Sequence, residues 1–251
     1  MRNLFGVLVG IACPLLLMGQ TAAELVAKNL AARGGIEKIR AIKTLRMTGR
    51  VQQGGFVAQI TKTSMAPNFL RQTFTLQGMT QIEAYDGSSG WQLSPFGGRR
   101  DPELLGEDDL RGFVEDADFY GPLVDSSTKD NRVEYLGLGS VDGDDAYRLK
   151  VTLANGDILY YYLDPDTCLE IRIEKMVFVR GSVSESVVNL GSYKQVAGVY
   201  FPFSMESGSR RQDPADFSKV TLDKIEANVA VDASQFKLPV ARPAAPAGKE
   251  F

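Results

Sequence analysis

The stretch that most constrains this chain runs from Gly156 to Phe178. Its first arm, Ile158-Leu159-Tyr160-Tyr161-Tyr162-Leu163, is an unbroken run of β-favouring residues. Asp164-Pro165-Asp166-Thr167 follows as a tight turn, because proline presets φ and aspartate bonds nearby amides. The second arm alternates. Leu169, Ile171 and Ile173 point one way, and Glu170, Arg172 and Glu174 the other. That period of two predicts a half-buried antiparallel strand. A sheet built from such arms has one wet face and one apolar face, and the apolar face needs a cover.

The rest of the chain supplies both more sheet and the cover. Residues 22–33 and 36–42 read as short amphipathic helices, with Gly34-Gly35 between them. Strands are predicted over 45–51, 56–61, 70–76, 79–85 and 91–93, each separated by turn residues, which describes a meander. Residues 94–128 break this texture. Helical spacing runs through 103–117, with Leu104, Leu105, Leu110, Phe113 and Val114 on one side and a strongly acidic opposite side. Strands return over 133–138, 146–153, 186–193, 199–205 and 219–225, with Asn155-Gly156 a strong hairpin signal. Eleven or twelve strands and few helices exclude a parallel α/β sheet. The expected fold is mainly β (α+β): one large curved antiparallel sheet forming an incomplete β-barrel, with N-terminal helices and a helical insert over its concave face.

Composition narrows the chemistry. The net charge of −3 argues against a nucleic-acid partner. There is no histidine, so the commonest general base and metal ligand are both missing. The two cysteines, Cys13 and Cys168, make no Cys-rich metal site, and no cofactor is expected. Residues 1–23 read as a cleavable signal peptide: Arg2, an apolar run over 4–18, then Thr21-Ala22-Ala23. The expected organisation is a leader over 1–23, one domain over 24–238, and a disordered Pro/Ala-rich tail over 239–251.

Four stretches carry a resemblance. They are Lys38-Ile39-Arg40-Ala41-Ile42-Lys43-Thr44-Leu45-Arg46-Met47-Thr48-Gly49; Ala84-Tyr85-Asp86-Gly87 with Trp91; Tyr161-Tyr162-Leu163-Asp164-Pro165-Asp166-Thr167; and Gly198-Val199-Tyr200-Phe201-Pro202-Phe203. With this element order, the chain resembles the LolA-like family of outer-membrane lipoprotein-sorting proteins. The resemblance implies an unclosed barrel that holds acyl chains and a periplasmic location. It also implies lipoproteins or lipids as partners, with donor and acceptor proteins at the inner and outer membranes. No ligand-contact residue of the family is matched here.

The leading functional reading is therefore a monomeric periplasmic carrier moving lipidated cargo toward the outer membrane, and not an enzyme. Its candidate cavity residues are Met47, Phe56, Ile60, Phe74, Leu76, Met79, Ile82, Trp91, Tyr160, Tyr162, Ile171, Ile173, Phe201 and Phe203. Apolar positions on alternating strands are ordinarily core; the excess of Phe, Tyr and Met is what leans toward a cavity. The insert over 96–123 would form a lid, with Phe96, Phe113, Phe119 and Tyr120 as its contacts. An alternative from another class is an envelope interaction or sensor module of the same fold. A third reading, an enzyme, rests only on Ser126-Ser127-Thr128-Lys129, which matches a bare Ser-x-x-Lys pattern without companion motifs.

Overall fold

The computed structural model describes residues 20–98, 101–179 and 181–239. The predicted leader, apart from residues 20–23, and the predicted tail, apart from Pro239, lie outside the described residues, as does Cys13.

The chain opens with helix α1 (Ala22–Ala32) and helix α2 (Ile36–Ala41). Thr21 caps α1 in a reciprocal box: its hydroxyl accepts from the Glu24 amide, and the Glu24 carboxylate accepts from the Thr21 amide. The first meander follows as β1 (Thr44–Gln53), β2 (Phe56–Met65), β3 (Phe69–Leu76), β4 (Met79–Tyr85), β5 (Gly90–Leu93) and the two-residue β6 (Glu103–Leu104). Helix α3 (Glu107–Ala117) comes next. The second meander is β7 (Arg132–Val141), β8 (Asp144–Thr152), β9 (Ile158–Leu163), β10 (Glu170–Val179) and β11 (Ser182–Gly191). A small hairpin of β12 (Lys194–Val196) and β13 (Val199–Phe201) precedes β14 (Ser204–Ser209) and β15 (Ser218–Ala227).

Thirteen strands form one antiparallel sheet in the order β6-β5-β4-β3-β2-β1-β15-β14-β11-β10-β9-β8-β7. The sheet is curved and does not close: β6 and β7 are its two edges. Two expectations are corrected here. The helix predicted from residue 103 starts at Glu107, because Glu103 and Leu104 pair with Gln92 and Trp91. The single strand predicted over 199–205 is two strands, β13 and β14, separated at Pro202, whose nitrogen has no proton to give a ladder.

The C-terminal strand β15 lies between β1 and β14, so the last strand joins the two meanders at the middle of the sheet. Its pairing with β1 shifts register between Thr48 and Gly49. A Cβ at Gly49 would sit 2.2 Å from the Thr221 carbonyl oxygen, so only glycine admits this approach. Ile39 from α2, Ile42 just after it, Leu45, Leu222, Ile225, Val199 and Phe203 are buried together over this junction, while α1 places Leu25 against Leu149, Leu159, Tyr161 and Leu163.

Gly49→Ala should therefore cost about 1–3 kcal/mol of unfolding free energy, as overpacking at a rigid site does. Gly55→Ala, where the added carbon meets open space, should shift it little. Urea denaturation of both variants checks the contrast.

Candidate functional site

Antiparallel pairing sets which side chains share a face. Leu45, Met47, Gly49 and Val51 of β1 lie opposite Ser64, Lys62, Ile60 and Ala58 of β2. Ile60 and Lys62 lie opposite Phe74 and Gln72, which lie opposite Gln81 and Glu83 of β4. These residues, with Met205, Val220 and Leu222 from β14 and β15, form the concave face. The helices and the segment after α3 fill one end of that concavity. At the other end a groove of about 740 Å³ stays unfilled, lined by Met47, Val51, Ile60, Phe74, Met205, Val220 and Leu222 on its apolar wall. An adjoining hollow of about 420 Å³, lined by Val51, Phe56, Ala58, Phe74 and Leu76, carries it out to the hairpin tips.

One wall is polar. Lys62, Gln72, Gln81 and Glu83 face the groove. Gln72 and Gln81 each donate to a different oxygen of the Glu83 carboxylate at 3.0 Å. The groove is thus an amphipathic channel, with the larger surface apolar.

Helix α3 lies over the concave face, with one flank toward β3–β5 and the other toward β8–β10. On the β3–β5 side, Phe113 and Ala117 are buried with Leu70 and Tyr85. On the β9–β10 side it is held by charge. Arg111 donates through Nε and Nη2 to the two oxygens of the buried Asp157 carboxylate, at 2.9 and 2.7 Å. Lys175 of β10, paired with Leu159 and so on the concave face, reaches Glu115 at 2.7 Å and Asp116 at 3.1 Å. Burial alone would lower the Lys175 ammonium, but the Asp116 and Glu115 carboxylates outweigh it and raise its pKa. Asp116 is about half exposed, at the edge of the groove. Burial would raise it, but Lys175 and Lys62 hold it below its ordinary value.

Behind this strap lies a smaller hollow of about 240 Å³, lined by Arg33, Tyr161, Glu170, Ile173, Tyr193 and Phe201 among others. Tyr193 donates its hydroxyl to the Glu170 carbonyl at 2.7 Å, and Arg33 lies 3.8 Å from the Glu170 carboxylate. Burial first, and then the Glu170 charge, push the Tyr161 and Tyr193 phenols far up, so both stay protonated.

The structure separates the candidate residues named from sequence. Met47, Ile60 and Phe74 line the groove, and Phe56 and Leu76 line its outer hollow. Met79 lies opposite Leu76 at the hairpin tip. Ile173 and Phe201 line the smaller hollow, while Phe203 is buried against α2. Five residues face away from the concavity and are corrected. Ile82 and Trp91 fall on the alternate parity of β4 and β5, and the Trp91 indole N–H donates 2.8 Å to the Phe236 carbonyl on the outer face. Tyr160 and Tyr162 also point outward, with the Arg148 guanidinium over both rings. Ile171 joins them because β10 shifts register between Glu170 and Arg172. That bulge turns Glu170 inward and breaks the alternation expected across Leu169, Ile171 and Ile173.

Among the residues expected in the lid, Phe113 anchors α3, and Phe119 stacks edge-on with Tyr120 at 5.0 Å. The Tyr120 hydroxyl donates to the Ile42 carbonyl, and Phe96 meets Phe74 edge-on at the outer end. Sequence reasoning missed Lys62, Gln72, Gln81, Glu83, Asp116 and Lys175. The signal was there for Lys175, a charge out of phase with the polar positions of its own strand. In the Ser-x-x-Lys stretch, Lys129 is engaged by both Asp118 oxygens at 2.7 Å and by the Gly121 carbonyl. Among the described residues, no cluster of His, Cys, Asp and Glu is placed to hold a metal.

The architecture is that of a half-barrel with a covered concave groove, and solved structures share it. A LolA superfamily protein from Nitrosomonas europaea superposes with a TM-score of 0.59 at 13% identity, over 87% of this chain and 98% of that one. A DUF1329 family protein from Desulfovibrio piger gives 0.56 at 11%, over 86% and 97%. A domain assigned to the outer membrane lipoprotein-sorting proteins, from Vibrio parahaemolyticus, gives 0.52 at 10%, over 84% and 97%. The fold is therefore LolA-like. No protein-family model and no curated protein sequence matches the chain.

Replacing Lys175 with Met leaves two carboxylates on α3 without their cation. It should cost about 1–3 kcal/mol, less than a fully buried pair because Asp116 is part solvated. The pH dependence has a definite sign. Asp116 is depressed, so its contribution is full above its unfolded value near 3.8 and is lost as pH falls through its lower folded value. Lys175 is raised, so its contribution is full below 10.5 and is lost as pH rises through its higher folded value. The melting-temperature difference between the protein and Asp116→Asn should thus be full at neutral pH and shrink below about pH 4.

Proposed function

We propose that this protein is a periplasmic carrier that holds an acyl chain of a lipid or lipoprotein in the concave groove. The observation that carries this reading is the groove itself: an unfilled apolar channel between the strands and α3, open at the hairpin tips. Its volume falls within the roughly 300–1,000 Å³ of ligand pockets. Each methylene taken out of water contributes about 0.8 kcal/mol, so a chain of about fourteen carbons is worth on the order of 10 kcal/mol in such a site. The polar wall from Lys62 to Glu83 gives the groove hydrogen-bonding groups for an ester, amide or hydroxyl near the chain. The LolA-like fold is consistent with this role, and an exported protein fits the leader-like sequence over residues 1–23. No helix among the described residues is long and apolar enough to cross a membrane.

Binding of a fluorescent fatty-acyl probe tests the reading. Phe74→Glu places a carboxylate where both hollows meet and should weaken the probe at least tenfold, whereas Ile82→Glu, on the outer face of the neighbouring strand, should leave affinity near that of the unmodified protein. Equal affinity for all three proteins, or no binding by any, would remove the groove as the site. Native mass spectrometry of protein purified from its own periplasm would then name the cargo class.

A further inference from the structure

The two ends of the half-barrel differ in chemistry. The turns at the helix-covered end are polar: Asp86 and Asp164 each accept bonds from the backbone of their own turn. At the open end the β8–β9 and β14–β15 connections are polar as well, with Asn155 and Asp157 in the first and Arg210, Arg211, Asp213 and Asp216 in the second, but the other tips are not. Four separate connections there expose Phe56 and Val57 (β1–β2), Met79 (β3–β4), Phe96 (after β5), and Phe178 and Val183 (β10–β11), each between 40% and 62% open. Half of the large hydrophobics exposed among the described residues thus sit at this one end. Residues 51–61 and 72–82 contain no charged side chain, and 176–184 contain only Arg180. Free hairpin tips in water are ordinarily turn-forming and polar, and charge is the usual guard against association.

We propose that this rim docks the open end of the groove onto the surface of a lipid bilayer. The proposal rests on the carrier reading, and adds how cargo would enter and leave without crossing water. Three features favour a bilayer over a protein partner. The apolar residues stand on four tips around a mouth, so a rigid flat partner would leave the gaps between them unfilled, while lipid deforms to fill them. The four apolar tips are themselves charge-poor, with glutamine, threonine and serine beside the apolar residues, so inserting them strips few ions of water, while the charged β14–β15 connection between them can stay at the headgroup level. The rim is also continuous with the outer hollow, which Phe56 and Leu76 line. An acyl chain would pass from one apolar phase to the other along that wall.

Flotation with neutral phosphatidylcholine vesicles tests this on the full chain, alongside the acyl-probe assay. The probe variants are Val57→Glu and Val183→Glu together, both exposed and neither lining the groove. The expected result is vesicle binding that persists in high salt and falls at least tenfold in the double variant, with probe affinity and circular dichroism unchanged. Vesicle binding equal in both proteins overturns the rim. Probe binding without vesicle binding overturns docking and leaves the carrier reading standing. Vesicle binding without probe binding keeps docking and removes the carrier. Self-association through the rim, lost in the double variant and with no vesicle binding, would assign the surface to a second copy and also overturn the proposal.

Discussion

The pairing of β1 with β15 is the contact on which the rest depends. Each meander is a run of local hairpins, and each could form from near neighbours in the chain. Within the sheet, β1 against β15 joins them, linking residues from Leu45 with Ala227 to Gln52 with Lys219. Gly49 allows the close approach at its register shift. The junction is also where α2 packs, through Ile39.

A sheet that curves without closing leaves two problems: an apolar interior and two separated edges. Helix α3 addresses both because its place in the chain lies between β6 and β7, the two edges. It uses apolar packing on one side, through Phe113 and Ala117, and ion pairs on the other, through Arg111 and Lys175. The asymmetry has a physical consequence. Apolar burial is insensitive to salt and nearly so to pH, whereas the ion-pair side responds to both. The ion-pair side of the strap is therefore the side on which salt and pH act. The groove lies beneath Asp116, at the charged end of the helix.

Much of the fold was legible in the sequence. The meanders could be read because period-two alternation and turn residues are local signals. The groove was read in part: Met47, Phe56, Ile60, Phe74 and Leu76 share one parity on adjacent strands. The reading failed where parity changed. Tyr160 and Tyr162 are apolar enough to suggest an interior position, but the ring faces accept the Arg148 guanidinium outside. Trp91, a cavity candidate by its apolar strand position, carries an indole N–H that requires an acceptor, which the distant Phe236 carbonyl supplies.

The sequence by itself determined the strand-and-turn grammar and the few short helices, because each of these rests on residues within a few positions of one another. The tertiary structure alone decided which face each strand presents. A bulge at Glu170, invisible to a period of two, inverts Ile171 and brings a carboxylate inward beside Arg33. It also decided that Lys175, Glu115 and Asp116 meet, and that the apolar tips converge on one end. Those facts depend on register and on the pairing of remote strands. Both are fixed by the packing of the whole sheet, and no local run of residues encodes them.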